Sequence, residues 1–279
     1  MGRFFRVLAW VLATESLARA ADSQGAAGAG QRTALGADQR SALKRRLETG
    51  DEGAVRAALH EIVANEASRK EFGPTLAALL DAGVPASLAP SLLSALGTVD
   101  GALGASRFIA YADHRDVIVR RAAATELSKL HTVPARAALA VLLRDFDGDV
   151  RRIAAAGLGD AAASEAAPDL ARLWDRGERY ALVPLAQVCV GSPCAALTKA
   201  AGAAPLGDTS AAIQVFFSRT DRGAPDAVKV DVLGALGASK APAVHAFLVD
   251  LSERAPKATS SAVRAALEGA VRATKGAPQ

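Results

Sequence analysis

Asp116-Val-Ile-Val-Arg120-Arg-Ala-Ala-Ala-Thr-Glu-Leu127-Ser-Lys-Leu130 returns 31 residues later as Asp147-Gly-Asp-Val-Arg151-Arg-Ile-Ala-Ala-Ala-Gly-Leu158-Gly-Asp-Ala161. Leu96-Gly97 stands a further 31 residues back, and looser copies begin at Val55-Arg56, Val228-Lys229 and Val263-Arg264. After each Val-Arg, small and aliphatic residues recur at i, i+3, i+4 and i+8, as in Val119, Ala122, Ala123 and Leu127. That spacing predicts a helix burying one stripe. A break follows, then a second stripe of Leu139, Leu142 and Leu143 behind Pro134, with Pro168 and Pro242 in the same role later. Proline opens a helix at no cost, because the first-turn N–H has no partner inside the helix. A pair of short helices cannot bury its own apolar stripe, so the pairs must stack on one another. The fold class read from this pattern is all-α: an α-solenoid of stacked antiparallel helix pairs, about six or seven of them over residues 38–275.

Composition agrees. Of 279 residues 67 are alanine and only 4% are aromatic, a mixture that favours helix and lacks the β-branched and aromatic faces of a β-sandwich. Alanine at the contact positions lets helix axes approach closely, while leucine fills the gaps.

The first 20 residues read differently. Arg3 and Arg6 precede an uncharged run from Val7 to Thr14, and Ala18-Arg19-Ala20 closes the segment. A positive start, a short apolar middle and an Ala-x-Ala finish are the layout of a secretory signal peptide, so residues 1–20 are expected to be removed and the protein exported, to a bacterial periplasm or the medium. Residues 21–37 are expected to form a flexible Gly/Ala-rich linker, and 276–279 a disordered tail. Cleavage after Ala20 would lower the formal charge from +4 to +2, so the pI of 9.3 overstates the basicity of the mature chain. Near-balanced charge gives little drive toward nucleic acid, and no later apolar run is long enough to span a bilayer. No nucleic-acid partner and no membrane span are expected.

The Asp-x-x-Val-Arg-x-x-Ala-x-x-x-Leu-Gly string and the Pro-led second helix resemble the HEAT-like repeats of bacterial proteins, well over 113–175 and fairly over 224–274. The resemblance implies an α-solenoid that holds another protein on one surface, with an Asp/Arg ladder running along its repeats. The residues placed on that ladder are Asp113, Arg120, Asp145, Arg151, Lys229 and Arg264. The ladder is incomplete: Asp145 stands six residues before Arg151, whereas His114 occupies that place before Arg120, with Asp113 one further back. Related repeats also occur in bilin lyases and alkylpurine DNA glycosylases, which keeps an enzyme or enzyme accessory as the alternative, beside a passive component of the cell envelope.

Chemistry beyond the repeat is sparse. Cys189 and Cys194 flank Gly191 and Pro193, so the thiols bracket a tight turn that an oxidising compartment would close as a disulfide; two small buried hydrophobes, or redox or metal chemistry, are the other readings. His60, His114, His131 and His245 are isolated, no serine sits in a Gly-x-Ser-x-Gly elbow, and Asp145-Phe-Asp-Gly-Asp149 lacks the twelfth-position glutamate of a calcium loop. No catalytic residue, metal or cofactor is therefore assigned, and the acids read as helix caps. Arg121 and Arg152 recur one repeat apart as a candidate basic strip, and Tyr111 and Tyr180 lie near helix boundaries. These four are the candidate contacts to a protein partner.

Overall fold

In a computed structural model of the chain, residues 34–275 are described, apart from Arg222 and Lys240. The expected signal peptide, most of the expected linker and the 276–279 tail lie outside the described residues. Among the described residues there are fourteen α-helices, four short 3-10 turns and no strand. The protein is all-α. Packing divides it into two compact units, one ending at Phe72 and one beginning at Gly73.

The first unit holds α1 (Ala37–Glu48), α2 (Glu52–Ala64) and a 3-10 turn (Arg69–Phe72). Leu43 and Leu47 of α1 pack with Val55, Leu59 and Ile62 of α2, all buried. Asp51 starts α2 by accepting the Ala54 N–H at 2.6 Å, which satisfies a donor that the helix leaves unpaired.

The second unit runs through α3 (Gly73–Ala82), α4 (Ala89–Tyr111), α5 (Val117–Ser128), α6 (Val133–Leu142), α7 (Gly148–Asp160) and α8 (Ala167–Asp175). It continues through α9 (Leu182–Val188), α10 (Ala195–Ala203), α11 (Leu206–Ser218), α12 (Asp226–Gly237), α13 (Pro242–Glu253) and α14 (Ser261–Thr274). Sequence writes the boundaries. Asp116, Thr132, Asp147 and Ser260 each accept a backbone N–H at the start of α5, α6, α7 and α14. Prolines stand in the first turns of α6, α8 and α13. Within Gly97–Gly104, α4 consists of two helices that meet across a kink: Asp100 leaves helical geometry at φ −157°, ψ 85°, and its carboxylate accepts the Leu103 N–H at 3.0 Å.

From α5 onward helices alternate between two layers, and close approach runs first along one layer and then along the other. From α4 it passes to α5, α7, α9 and α11; from α10 it passes to α12 and α14 in the other layer. Glycines mark this line. A Cβ on Gly157 of α7 would lie 2.5 Å from the Ser128 Cβ of α5, and one on Gly159 would lie 3.0 Å from the Pro184 Cα of α9. Gly237 of α12 meets Ala270 of α14 in the same way, at 3.3 Å. The Val-Arg…Leu-Gly string therefore tracks the close-packed line rather than the first helix of each pair. It occupies α5 and α7 in one layer and, as Val228-Lys229 and Val263-Arg264, α12 and α14 in the other. The change falls at the short helices α9 and α10, where the repeat is least regular in sequence.

Candidate interaction surface

Arg120 and Arg151 each perform two tasks. The Nη1 of Arg120, on α5, donates to the carbonyls of His114 (3.0 Å) and Arg115 (3.2 Å), tying down the α4–α5 loop behind it. Its Nε and Nη2 grip both oxygens of Asp145, in the α6–α7 loop ahead, at 2.8 and 2.9 Å. Arg151 repeats the device one unit on. It donates to the carbonyls of Asp145 (2.9 Å) and Phe146 (3.1 Å), and reaches forward to Glu178 and the Tyr180 hydroxyl in the α8–α9 loop. Three consecutive loops are thus riveted along one edge of the stack. Asp145 belongs to the arginine of the preceding repeat through its carboxylate and to Arg151 through its carbonyl. Asp113 is exposed and feels Arg120 only through space.

The later ladder positions keep the backward task. The Nζ of Lys229 donates to the Arg219 carbonyl at 2.5 Å, and Arg264 donates to the carbonyls of Pro256, Lys257 and Thr259. Lys229 lies against the Phe216 ring, and burial pushes its ammonium below the usual lysine range. The Arg120 guanidinium holds the Asp145 carboxyl low, and Arg121 together with the Val150 N–H does the same for Asp147.

The candidate basic strip is neutralised by its own neighbours. Arg121 grips Asp147 at 2.9 and 2.7 Å and lies 3.2 Å from Asp149, which also meets Arg152 at 3.1 Å. Tyr111 and Tyr180 are half-buried and tied inward: the Tyr111 hydroxyl donates to the Leu80 carbonyl at 2.8 Å, and Tyr180 accepts from Arg151 at 3.3 Å. Cys189 and Cys194 are buried and joined as a disulfide, with α-carbons 5.3 Å apart. Arg219 clasps that turn from the next repeat, donating to the carbonyls of Ala186 (2.9 Å) and Cys189 (3.0 Å) while pairing with Asp221.

The most unusual surface lies on the riveted edge. Phe146 projects fully into solvent, and Val141 beside it is also largely exposed. Both border a cleft of about 710 Å³ between the first two riveted loops, floored by Ile109 and Leu142 and rimmed by Arg115 and Arg144. The Phe146 loop does not owe its exposure to slack. Asp145 Oδ1 accepts the Asp147 N–H at 2.8 Å, Asp147 Oδ1 accepts the Val150 N–H at 2.9 Å, and Arg120 and Arg151 hold both flanks. A rigid loop displaying an aromatic side chain loses little freedom on binding, which is the condition for an interface hot spot.

The sequence matches no protein-family model and no curated protein. Solved structures resemble it, two of them as follows. One is from the complex of CpcE and CpcF of phycocyanin lyase from Nostoc sp. PCC7120, with 17% identity, 88% of this chain and 97% of that chain covered, and a TM-score of 0.47. The other is an engineered protein, with 17% identity, 84% and 96% covered and a TM-score of 0.38. This chain is a helical repeat protein.

Reading of the sequence missed Phe146, Val141, Arg115 and Arg179 as surface features. A signal was there for Phe146, which is a large apolar residue standing outside both helical stripes, between two capping aspartates. Among the described residues no group of His, Cys, Asp and Glu is arranged to hold a metal ion, and no helix is long and apolar enough to cross a membrane.

Proposed function

We propose that this chain is an exported HEAT-like repeat protein that acts as a non-catalytic, protein-binding scaffold. The observation that carries the reading is the pairing of an exposed aromatic with a loop fixed on both sides by the arginine ladder. Phe146 and Val141 stand exposed together on a cleft lined by Ile109 and Leu142, and grouped apolar surface of this kind, unlike a single exposed residue, marks an interaction site. Three features support the rest of the reading: the Asp-x-x-Val-Arg string, the signal-peptide layout of residues 1–20, and a paired Cys189–Cys194, which persists in oxidising compartments. In this reading the chain contributes position, and its partner the activity.

The test compares the wild-type chain with the Val141→Ser/Phe146→Ser double variant, each affinity-purified after cross-linking from fractionated cells. Quantitative mass spectrometry should find a protein retained by the first and lost by the second. N-terminal sequencing of the same material should begin at Ala21. Identical protein sets from the two chains would contradict the scaffold reading, and an intact Met1 in the cytosolic fraction would contradict export.

A further inference from the structure

We propose that the riveted edge binds an extended peptide segment of a partner protein in which an apolar side chain is flanked on both sides by carboxylates. The inference rests on the scaffold reading and specifies its partner chemistry. The three loops joined by Arg120 and Arg151 each expose the side chain that follows a residue accepting from a ladder arginine: Arg115 after His114, Phe146 after Asp145 and Arg179 after Glu178. The row reads cation, aromatic, cation.

The charges on the row are available. Among the described residues no carboxylate lies within 4.0 Å of the Arg115 guanidinium. Arg144 shares the single carboxylate of Asp169 with Arg172, so that cluster carries a surplus positive charge. Arg179 lies over the Trp174 ring at 5.1 Å and only reaches Asp208 at 3.9 Å. The acids of the second loop are already occupied, Asp145 by Arg120, and Asp147 and Asp149 by Arg121 and Arg152; Asp113 of the first loop is exposed on the wall of the cleft and acts on Arg120 through space. His114 adds a donor, because its Nδ1 accepts the Asp116 N–H at 3.0 Å and leaves Nε2 to carry the hydrogen of the neutral ring. An incoming carboxylate therefore meets donors at both ends of the row and an apolar cleft between them.

Spacing sets the motif. Packed helices stand about 10 Å apart, and an extended chain advances about 3.3 Å per residue, so one repeat matches about three peptide residues. The occupant expected is acidic-x-x-apolar-x-x-acidic.

Selection of a displayed random 12-residue peptide library on the immobilised full chain tests this directly. Enriched peptides should be acidic with a central aromatic or large aliphatic residue. Phe146→Ser should weaken the best peptide at least tenfold, and Arg115→Ser and Arg179→Ser about threefold each, with affinity falling as salt rises. All three side chains are exposed, so the variants should keep the wild-type melting temperature. Enrichment of basic or uncharged peptides, binding indifferent to Phe146→Ser, or no enrichment would overturn the inference. Such a result alongside a cellular partner lost in the Val141/Phe146 variant would leave the scaffold reading standing.

Discussion

Gly157→Ala and Gly234→Ala make the same chemical change at two helical positions, and only the second should stabilise. In a helix interior the exchange of glycine for alanine is worth about 1 kcal/mol through backbone entropy alone. Gly234, on α12, is exposed and nothing lies within 4 Å of a Cβ built there, so that gain should appear undiminished. At Gly157 the new Cβ would stand 2.5 Å from the Ser128 Cβ and 2.9 Å from the Ser128 Cα, with Leu139 at 3.1 Å. Ser128 can turn its hydroxyl aside but not its α-carbon, so α5 and α7 must separate. Overpacking of this kind costs about 1–3 kcal/mol, which cancels the helical gain and exceeds it when separation also loosens the Arg120–Asp145 clasp between the same two repeats. Gly234→Ala should raise the melting temperature by about 2–4 °C, the shift expected per kcal/mol in a domain of this size. Gly157→Ala should leave it unchanged or lower it by a similar amount. Thermal melts followed by circular dichroism, with urea titrations as a second measure, decide the point. Equal stabilisation by both substitutions would refute close helix approach at α5–α7 and the reason given for glycine along that line.

The ladder and the turn give further outcomes. Arg120→Met strips the partner from Asp145, whose side chain is only 8% exposed, and should destabilise by about 2–4 kcal/mol; adding Asp145→Asn should recover part of that loss in a double-mutant cycle. Acid should weaken the fold in a defined window. Asp145, Asp147 and Asp169 titrate below the ordinary carboxylate range and Asp221 at about 2, chiefly through their arginines, with burial opposing them and coming first at Asp169. A carboxyl with a lowered folded-state pKa contributes stability that is complete above its unfolded value near 4 and vanishes as pH falls through the folded one. Urea midpoints should therefore drop between about pH 4 and pH 2, and drop less in the Asp145→Asn/Asp221→Asn chain; a flat profile over that range would count against the ladder. Reducing the Cys189–Cys194 link, which closes a six-residue loop, should cost about 2 kcal/mol, and protein taken from its native compartment should show no free thiol when denatured without reductant.

Architecture was legible because helical periodicity and close approach both write themselves into local sequence. Leu127 and Leu158 are fully buried at the same place in successive repeats, and Pro134, Pro168 and Pro242 open helices as the missing N–H allows. The shift of the Val-Arg string from one layer to the other was not legible. It depends on how the short α9 and α10 are inserted, which is a matter of packing between repeats and not of periodicity within them. Ladder residues were recognisable by spacing, but their partners were not: Arg120 finds its carboxylate 25 residues ahead and its carbonyls five and six residues behind. Arg121, Arg152, Tyr111 and Tyr180 drew attention by chemical type, yet Arg152 pairs with Asp149 on its own helix and the other three are engaged by neighbours that only the folded chain brings near. Phe146 gains its meaning from exposure, which depends on everything that does not cover it.

The central claim is that the edge carrying Phe146 is where another protein sits. A photo-cross-linking phenylalanine analogue placed at 146 in the full chain, and at the exposed Arg272 as a control, tests it in the living cell. On this account, light should produce a discrete heavier species from position 146 and none from 272, with a single partner protein identified within it. No adduct from 146, or the same scatter of products from both positions, would contradict it.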